Sequence, residues 1–472
     1  NSTLIMILAP LLTHQDAKNA DGSPVQCTYK LWRSRGWCRM EYIAAILAKR
    51  PVPLMLVLGA DCVPEFVNPV DMFLMAAGDG NFTCCSRNHD FGNGPVECDK
   101  GTVRGVMELM LDSKVAHLHA TDDIIAARWF ESLRPWLLRR LPPRNRKTGG
   151  EADEEYALGG ESAVSLLKER MRWREGKEAT LLAKTGMTLL LFATASDDLA
   201  AVCELLRTNP ADANAPVKQN LLEPHRAPPI FKGCTPLLLA MAFASWPVVQ
   251  ALLDAGANRH AVDLVGHTPL HTAAMFGRSE NIKSWLQLFS GTELKTSIGG
   301  IKDNTALHMC CFYGPDKRET LRELLRANAD LSAVNMFGSN PIQMHAHNPD
   351  ADIEVMRALL SEPQPGAPTV NSQRHVPGCL IPFIICVTRL LAQCCGSKSK
   401  MVRFFAMMEG STALHIAAMH GDVELCRMLI ASGADTTLRN RLGMTPLDVA
   451  RWFGNDSLFV GSFGSEPSTL PA

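Results

Sequence analysis

The block Gly266-His-Thr-Pro-Leu-His271 decides the fold, because close copies of it recur along the second half of the chain. Clear copies are Gly233-Cys-Thr-Pro-Leu237, Asp303-Asn-Thr-Ala-Leu-His308, Gly410-Ser-Thr-Ala-Leu-His415 and Gly443-Met-Thr-Pro-Leu-Asp448, and weaker ones begin at Gly186 and Gly338. The Thr or Asn of each copy stands at position 188, 235, 268, 305, 340, 412 or 445, with spacings of 47, 33, 37, 35, 72 and 33 residues. Such a period indicates stacked units that bury their apolar faces against one another.

The residue types of the block suit the start of a helix. The hydroxyl of Thr268 can cap a helix, and Pro269 at the first helical position has no N–H to leave unpaired. Leu270 is predicted to enter the core. His271 is predicted to hydrogen-bond to a neighbouring Thr and to the backbone. Because the block histidines recur at one structural position and lie far apart, we interpret them as structural.

The 33-residue period, with Thr-Pro-Leu-His opening a helix pair, resembles the ankyrin repeat over about residues 180–456. That resemblance implies an α-solenoid that binds other proteins through hairpin tips and the concave face of the first helices. In the residues themselves, aromatic and Met side chains recur just before the turn within each helix pair, and such residues are enriched in binding hot spots. They could equally pack against the hairpin bases. The candidate partner-binding residues are Phe243, Met275, Phe276, Phe312, Tyr313, Met419, His420, Trp452 and Phe453.

The N-terminal residues are predicted to form an α/β domain. Residues 4–9 and 52–58 are apolar runs typical of buried parallel strands, and residues 40–49 between them favour a helix, which together make a βαβ unit. The segment Ser34-Arg-Gly-Trp-Cys-Arg-Met-Glu41 resembles the C-terminal half of a Toll/interleukin-receptor-like (TIR) domain over about 60 residues. Ser34, Trp37, Cys38 and Glu41 match the pattern, and Tyr42 departs from it at a Leu position.

The TIR resemblance implies one candidate catalytic residue, Glu41, because NAD-cleaving members carry a catalytic Glu in this helix. The first half of such a site would precede Asn1, so activity of this chain is not expected. Cys84, Cys85, His89 and Cys98 are a conceivable zinc set, but adjacent cysteines without a C-x-x-C knuckle favour no metal site. No cofactor is predicted.

The predicted organisation has seven parts. They are a partial TIR-like α/β domain (1–141), a linker (142–160), a capping helix (161–185), a first repeat block (186–363), an insertion (364–401), a second repeat block (402–456) and a tail (457–472). The spacing of 72 residues reflects either a missing degenerate repeat or this insertion. Its apolar run at residues 379–395 is predicted to form a buried or partner-covered helix.

Composition excludes several classes of function. The 472 residues carry 47 Lys and Arg against 48 Asp and Glu, a net charge of −1 that argues against nucleic-acid binding. Fifteen scattered cysteines indicate reduced thiols and a cytoplasmic protein. The run at 379–395 is short for a membrane span and contains Arg389. We therefore predict a non-enzymatic scaffold or adaptor. The alternatives are an NAD-hydrolysing TIR-like enzyme regulated by the repeats and a membrane-associated ankyrin protein.

Overall fold

The computed structural model divides into two compact units, residues 1–272 and 273–472. It describes residues 4–9, 12–18, 24–50, 52–57, 64–67, 74–90, 92–143, 162–174, 177–221, 230–289, 294, 303–313, 317–378, 380–394 and 399–459. Most of the predicted linker and nearly all of the predicted tail lie outside these residues.

The first unit begins with the predicted βαβ arrangement. Strand β1 (Ile5–Leu8) pairs in parallel with β4 (Leu54–Val57), and β5 (Glu65–Phe66) adds to β4 in the antiparallel sense. A hairpin of β2 (Leu12–Lys18) and β3 (Pro24–Cys27), then helices α1 (Tyr29–Ser34) and α2 (Gly36–Leu47), connects β1 to β4. The expectation that both strands are buried is wrong for β1, since Met6 and Leu8 are 59% and 66% exposed.

Helices complete the N-terminal part of the first unit. They are α3 (Thr83–Ser86), α4 (Asp99–Ala120), α5 (Ile124–Ser132) and α6 (Arg134–Leu137), with a 3-10 turn at Ala77–Asp79. Val103, Met107 and Leu111 recur at helical spacing along α4 and are fully buried. These three side chains make α4 the central core helix of the N-terminal part.

The predicted single capping helix over residues 161–185 is two helices, α7 (Ala163–Arg170) and α8 (Lys177–Thr185). Arg172 has a φ of 47° between them, a left-handed conformation that ends a helix. The adjoining Trp173 packs its ring edge-on against Phe192, and the guanidinium of Arg128 lies 4.6 Å from the Trp173 ring centre. The break therefore places an aromatic side chain over the first repeat.

Helix pairs follow at each sequence block. In the first unit they are α9 (Leu189–Ala195) with α10 (Leu199–Thr208), and α11 (Pro236–Phe243) with α12 (Trp246–Asp254). Helix α13 (Pro269–Phe276) spans the boundary between the units. The second unit contains α14 (Ser279–Leu288), α15 (Ala306–Phe312), α16 (Arg318–Arg326), α17 (Pro341–Ala346), α18 (Ile353–Ser361), α21 (Ala413–His420), α22 (Val423–Ala431) and α23 (Pro446–Phe453). Between α18 and α21 lie α19 (Leu380–Gln393) and α20 (Lys400–Met407).

The block residues cap and tie the repeats as predicted. The hydroxyl of Thr305 accepts from the His308 backbone N–H, and His308 Nδ1 accepts from the Thr305 N–H, which makes a reciprocal capping box. The other ring nitrogen, His308 Nε2, donates to the carbonyl of Ser339 in the next repeat at 3.0 Å. His415 does the same to Met444 at 3.0 Å. These two histidines are buried structural links.

The spacing of 72 residues is an insertion, because the repeats that begin at Asn340 and Thr412 are immediate neighbours. Helix α17 packs on α21, and Gln343 Nε2 donates to the carbonyls of Ser372 and Ser411 at 2.9 and 3.4 Å. Backbone hydrogen bonds pair Arg374 with Ser411 and with Gly410. Helices α19 and α20, which pack on each other, thus extend from the connection between two stacked repeats.

Candidate partner-binding surface

The predicted binding residues lie at the ends of the first helices and in the turns that follow, but their exposure differs. Phe243 and Met419 are buried, at 8% and 7% exposure, and His420 is exposed. The other members are half-buried: Met275, Phe276, Phe312, Tyr313, Trp452 and Phe453. These residues therefore do not form one equally exposed stripe.

Phe243 is covered by the N-terminal part of its own unit. The rings of Trp129 and Trp136 contact the Phe243 ring edge-on, with centres 5.9 and 5.6 Å away. Trp129 lies on α5 and Trp136 on α6. Because both are buried as well, this contact is part of the core of the first unit and not an open surface.

Helix α20 covers three of the predicted binding residues in the last two repeats, Met419, Trp452 and Phe453. Its Met407 is buried in a cluster with Met419 and Val449, and Phe404, Trp452 and Phe453 pack around them. Arg403 donates to the Trp452 carbonyl, and its guanidinium lies 5.4 Å from the centre of the Trp452 ring. The insertion therefore occupies surface that a partner would otherwise reach.

Met275, Phe276, Phe312 and Tyr313, all in the second unit, form what we call the central patch. The rings of Phe312 and Tyr313 are perpendicular, with centres 4.8 Å apart. Lys317 Nζ donates to the carbonyls of Ala274 and Met275 at the end of α13. This cation meets the negative end of the helix dipole and fixes the end of α13 beside the central patch.

The turns between repeats present a second type of surface. Exposed apolar residues project there, namely Val262 and Leu264 in the first unit and Val334 in the second, at 50%, 62% and 52% exposure. The carboxylate Oδ1 of Asp263 accepts from three successive backbone N–H groups at 2.9 Å, which fixes the tip. An Asp or Asn three residues before the block Gly is the sequence signal for these tips, but it does not indicate which of the neighbouring apolar side chains are exposed.

Helix α19 has an apolar face that points to solvent. Ile381 and Ile385 are buried against Met408 and Val376, whereas the opposite face is 65% exposed at Leu380 and Phe383 and 62% exposed at Leu390. The buried face fits the expectation of a buried helix, and the expectation that a partner covers the other face stays a prediction. Among the described helices, none is both long and apolar enough to cross a bilayer.

The residues of α2 that match the TIR pattern differ in their exposure to solvent. Glu41 lies on the exposed face of α2, and Cys38 is half-buried, where burial and Glu41 raise the pKa of its thiol. Trp37 Nε1 donates to Asp99 Oδ2 at 3.2 Å. Nothing in this geometry tests the predicted catalytic role of Glu41.

The discounted zinc set is brought together by the fold. The ligand atoms of Cys84, Cys85, His89 and Cys98 all lie within 4.8 Å of one another. The spacing in the sequence does not show the turn that returns His89 to the cysteines.

Comparison with known families identifies the helix pairs. A family model described as ankyrin repeats (3 copies) matches residues 190–297 and 384–459, and a single ankyrin repeat model matches residues 302–336. The chain contains ankyrin repeats. The matched ankyrin models begin at residue 190, so they do not cover the predicted TIR-like part, and that resemblance stays a prediction.

Curated relatives with ankyrin repeats match about half of the chain. The mouse B-cell lymphoma 3 protein homolog is 27% identical over 58% of this chain, and human B-cell lymphoma 3 protein is 30% identical over 46%. Mouse NF-kappa-B inhibitor delta is 29% identical over 47% of this chain and 63% of its own length. The chain spans 50% and 39% of the lengths of the first two relatives.

Solved ankyrin structures also match. The ankyrin repeat domain of Bcl-3 is 26% identical and covers 59% of this chain with a TM-score of 0.37. The human ASB11 ankyrin repeat domain is 20% identical and covers 60%, with a TM-score of 0.39. Each comparison takes in 100% of the solved chain. Both TM-scores are low, so the identification of the ankyrin repeats depends on the sequence blocks and the family models.

Proposed function

We propose that this chain is an interaction adaptor that binds another protein through the central patch of Met275, Phe276, Phe312 and Tyr313. The ankyrin repeats, similar to those of B-cell lymphoma 3 protein and NF-kappa-B inhibitor delta, support protein binding as the class of function. The observation that carries the proposal is the half-buried state of all four central-patch side chains, whereas Phe243 and Met419 in equivalent positions are covered within their own units.

The central patch has the physical properties of a binding hot spot. Three aromatic rings and a Met offer large apolar area, and half-burial means that part of each side chain is already fixed by packing. A fixed side chain loses less conformational entropy on binding than a mobile one.

One class of partner is suggested by a relative. The name of NF-kappa-B inhibitor delta describes an inhibitor of NF-kappa-B, so an NF-kappa-B subunit is the first candidate partner to test. The described cysteines, twelve in number, are free thiols, which supports a reducing, cytoplasm-like location.

The test is a triple substitution, Phe276→Ala with Phe312→Ala and Tyr313→Ala, compared with Leu288→Ala. Leu288 is an apolar residue of the same unit that is 53% exposed at the end of a second helix, outside the patch. We expect the triple variant to bind partner at least about tenfold more weakly, since loss of a single hot-spot side chain costs about 2 kcal/mol or more. The control should bind as the unmodified chain does. Equal capture by both variants, with unchanged helical circular dichroism, would contradict the proposal.

A further inference from the structure

Four potential metal ligands converge at the start of α4. Cys84 and Cys85 lie in the short helix α3, His89 in the turn after it, and Cys98 at the N-cap of α4. The Cys85 Sγ lies 3.7 Å from the Cys98 Sγ, 3.7 Å from His89 Nε2 and 4.0 Å from the Cys84 Sγ. Cys84 is buried and the other three are half-buried.

The three distances from Cys85 are close to those between the ligands of a tetrahedral zinc ion. Zinc binds sulfur at about 2.3 Å and imidazole nitrogen at about 2.0–2.1 Å, so ligands at tetrahedral angles lie about 3.5–3.8 Å apart. The three distances from Cys85 fall close to this range, and all four ligand atoms fit within 4.8 Å. Adjacent Cys84 and Cys85 can bind one ion because their sulfur atoms lie 4.0 Å apart in the short helix α3.

The backbone of this region is bent to bring His89 into the cluster. Asn88 and His89 have φ angles of 51° and 58°, a left-handed conformation that is unfavourable for residues with a Cβ and that concentrates at functional sites. The His89 N–H donates to the Cys84 carbonyl at 2.7 Å, and the Val96 N–H donates to the His89 carbonyl at 2.8 Å. The strain is thus held by hydrogen bonds that position the imidazole on Cys85.

Backbone and side-chain contacts hold the cluster in place. The Asp99 N–H donates to the Cys84 Sγ at 3.4 Å, and Cys98 stands at the positive end of the 22-residue helix α4. Asp99 is in turn held by the Trp37 indole on α2. Such outer contacts orient ligands and tune a metal site.

We propose that Cys84, Cys85, His89 and Cys98 bind one zinc ion as a structural site. Three thiolates and one imidazole fill four tetrahedral positions, so the ion has no open position for catalysis and acts as a crosslink. It would join α3 to the start of α4, which packs on α2. The zinc site would therefore stabilise the N-terminal part of the first unit independently of the ankyrin repeats and their partner.

The experiment measures metal bound to the full chain. After purification in reducing buffer without chelator, elemental analysis should find about one zinc per chain, and Cys85→Ser and Cys98→Ser should each lower this at least about fivefold. The matched control is Cys394→Ser, an exposed cysteine of the second unit, which should keep the zinc. Replacement of zinc by Co²⁺ in the unmodified chain should give thiolate-to-cobalt absorption bands and the visible spectrum of a tetrahedral ion.

The cobalt measurement needs no variant, so it decides the matter even where the serine variants fail to fold. Folded unmodified chain with less than about a tenth of an equivalent of zinc and no tetrahedral cobalt spectrum would overturn the proposal. A disulfide between Cys85 and Cys98, detected by mass spectrometry of peptides from the purified reduced-buffer protein, would also overturn it. So would full zinc retention by both serine variants.

Discussion

At the residue scale, two buried histidines connect neighbouring ankyrin repeats and must stay neutral to do so. Burial lowers the pKa of both His308 and His415 to about 4, below their ordinary 6.5. Each accepts a backbone N–H at Nδ1 and donates from Nε2 to the next repeat. Protonation would replace the acceptor at Nδ1 with a second donor and break the capping box.

The double variant His308→Gln with His415→Gln should remove a pH dependence of stability. Between pH 6.5 and 4 the unfolded histidines bind protons and the folded ones do not, so stability falls as pH falls. The effect is about 2 kcal/mol per histidine at pH 5. Gln343 already makes the equivalent bonds to Asn340 and Ser411, so Gln fits the position. Urea unfolding should show that the free energy of unfolding falls by about 4 kcal/mol less in the variant than in the unmodified chain between pH 7 and pH 5. An equal fall in both proteins would contradict this.

Two glycines separate the cost of a left-handed backbone from the cost of crowding. Gly256 and Gly338 have φ angles of 84° and 70°. A Cβ would meet nothing within 4 Å at Gly256, but at Gly338 it would lie 2.1 Å from the His375 carbonyl oxygen. Gly256→Ala should cost about 1–2 kcal/mol for the left-handed backbone alone. Gly338→Ala should cost clearly more, and equal changes in the urea midpoint would refute the predicted crowding.

The structural role of the block residues could be predicted because it is local. The Thr305 hydroxyl caps its helix by accepting the backbone N–H of His308, three residues further along, and the sequence pattern alone indicates this contact. The burial of Phe243 could not be predicted, since Trp129 and Trp136 precede it by more than a hundred positions and no periodicity links them. The four candidate ligands Cys84, Cys85, His89 and Cys98 were visible in the sequence, but their closeness depends on the left-handed turn at Asn88 and His89, which the sequence does not show.

At the element scale, the insertion is a helix pair added to an otherwise continuous stack. The sequence predicted an insertion at residues 364–401 with one apolar helix and left a missing repeat open, whereas the added helix pair extends to Met407, inside the predicted second repeat block. Only tertiary contacts decide between these alternatives, such as the hydrogen bonds of Gln343 to Ser372 and Ser411. Because the flanking repeats contact each other directly, α19 and α20 are not needed to connect them.

Replacing residues 376–409 with a short turn should therefore leave the flanking repeats folded. Removal of Met407 and Phe404 would expose Met419, Trp452 and Phe453, which now pack around them. We expect retained helical circular dichroism per residue, a lower melting temperature and increased binding of a hydrophobic dye. Loss of the cooperative unfolding transition would show instead that the insertion is required for folding. A matched control is Leu380→Ser with Phe383→Ser, which changes only the exposed face of α19 and should reduce dye binding.

At the whole-molecule scale, the first unit joins two parts that the sequence presents as separate. Residues 1–141 show no repeats, yet α5 and α6 supply Trp129 and Trp136 to cover α11. Arg128 adds hydrogen bonds to the carbonyls of Met171 and Arg172 at 2.8 and 3.1 Å. The N-terminal part thus acts as a cover for the first repeats, which otherwise would present apolar side chains to water.

A double-mutant cycle on Trp136 and Phe243 tests this cover. Trp136→Phe and Phe243→Leu keep most of the buried volume and alter the edge-on ring contact, so the cycle isolates their interaction. We expect a coupling of about 0.5–1.5 kcal/mol in the free energy of unfolding. Pairing Phe243→Leu with Trp37→Phe, a more exposed Trp of the same part, should give a coupling near zero.

Amide hydrogen exchange gives a second measurement of the same contact. Exchange should become faster in Pro236–Phe243 when Trp136 is changed, because that helix then loses protection. Independent behaviour of the two residues, with unchanged exchange in that helix, would mean that the ring contact of Trp136 with Phe243 contributes nothing to the stability of the first repeats.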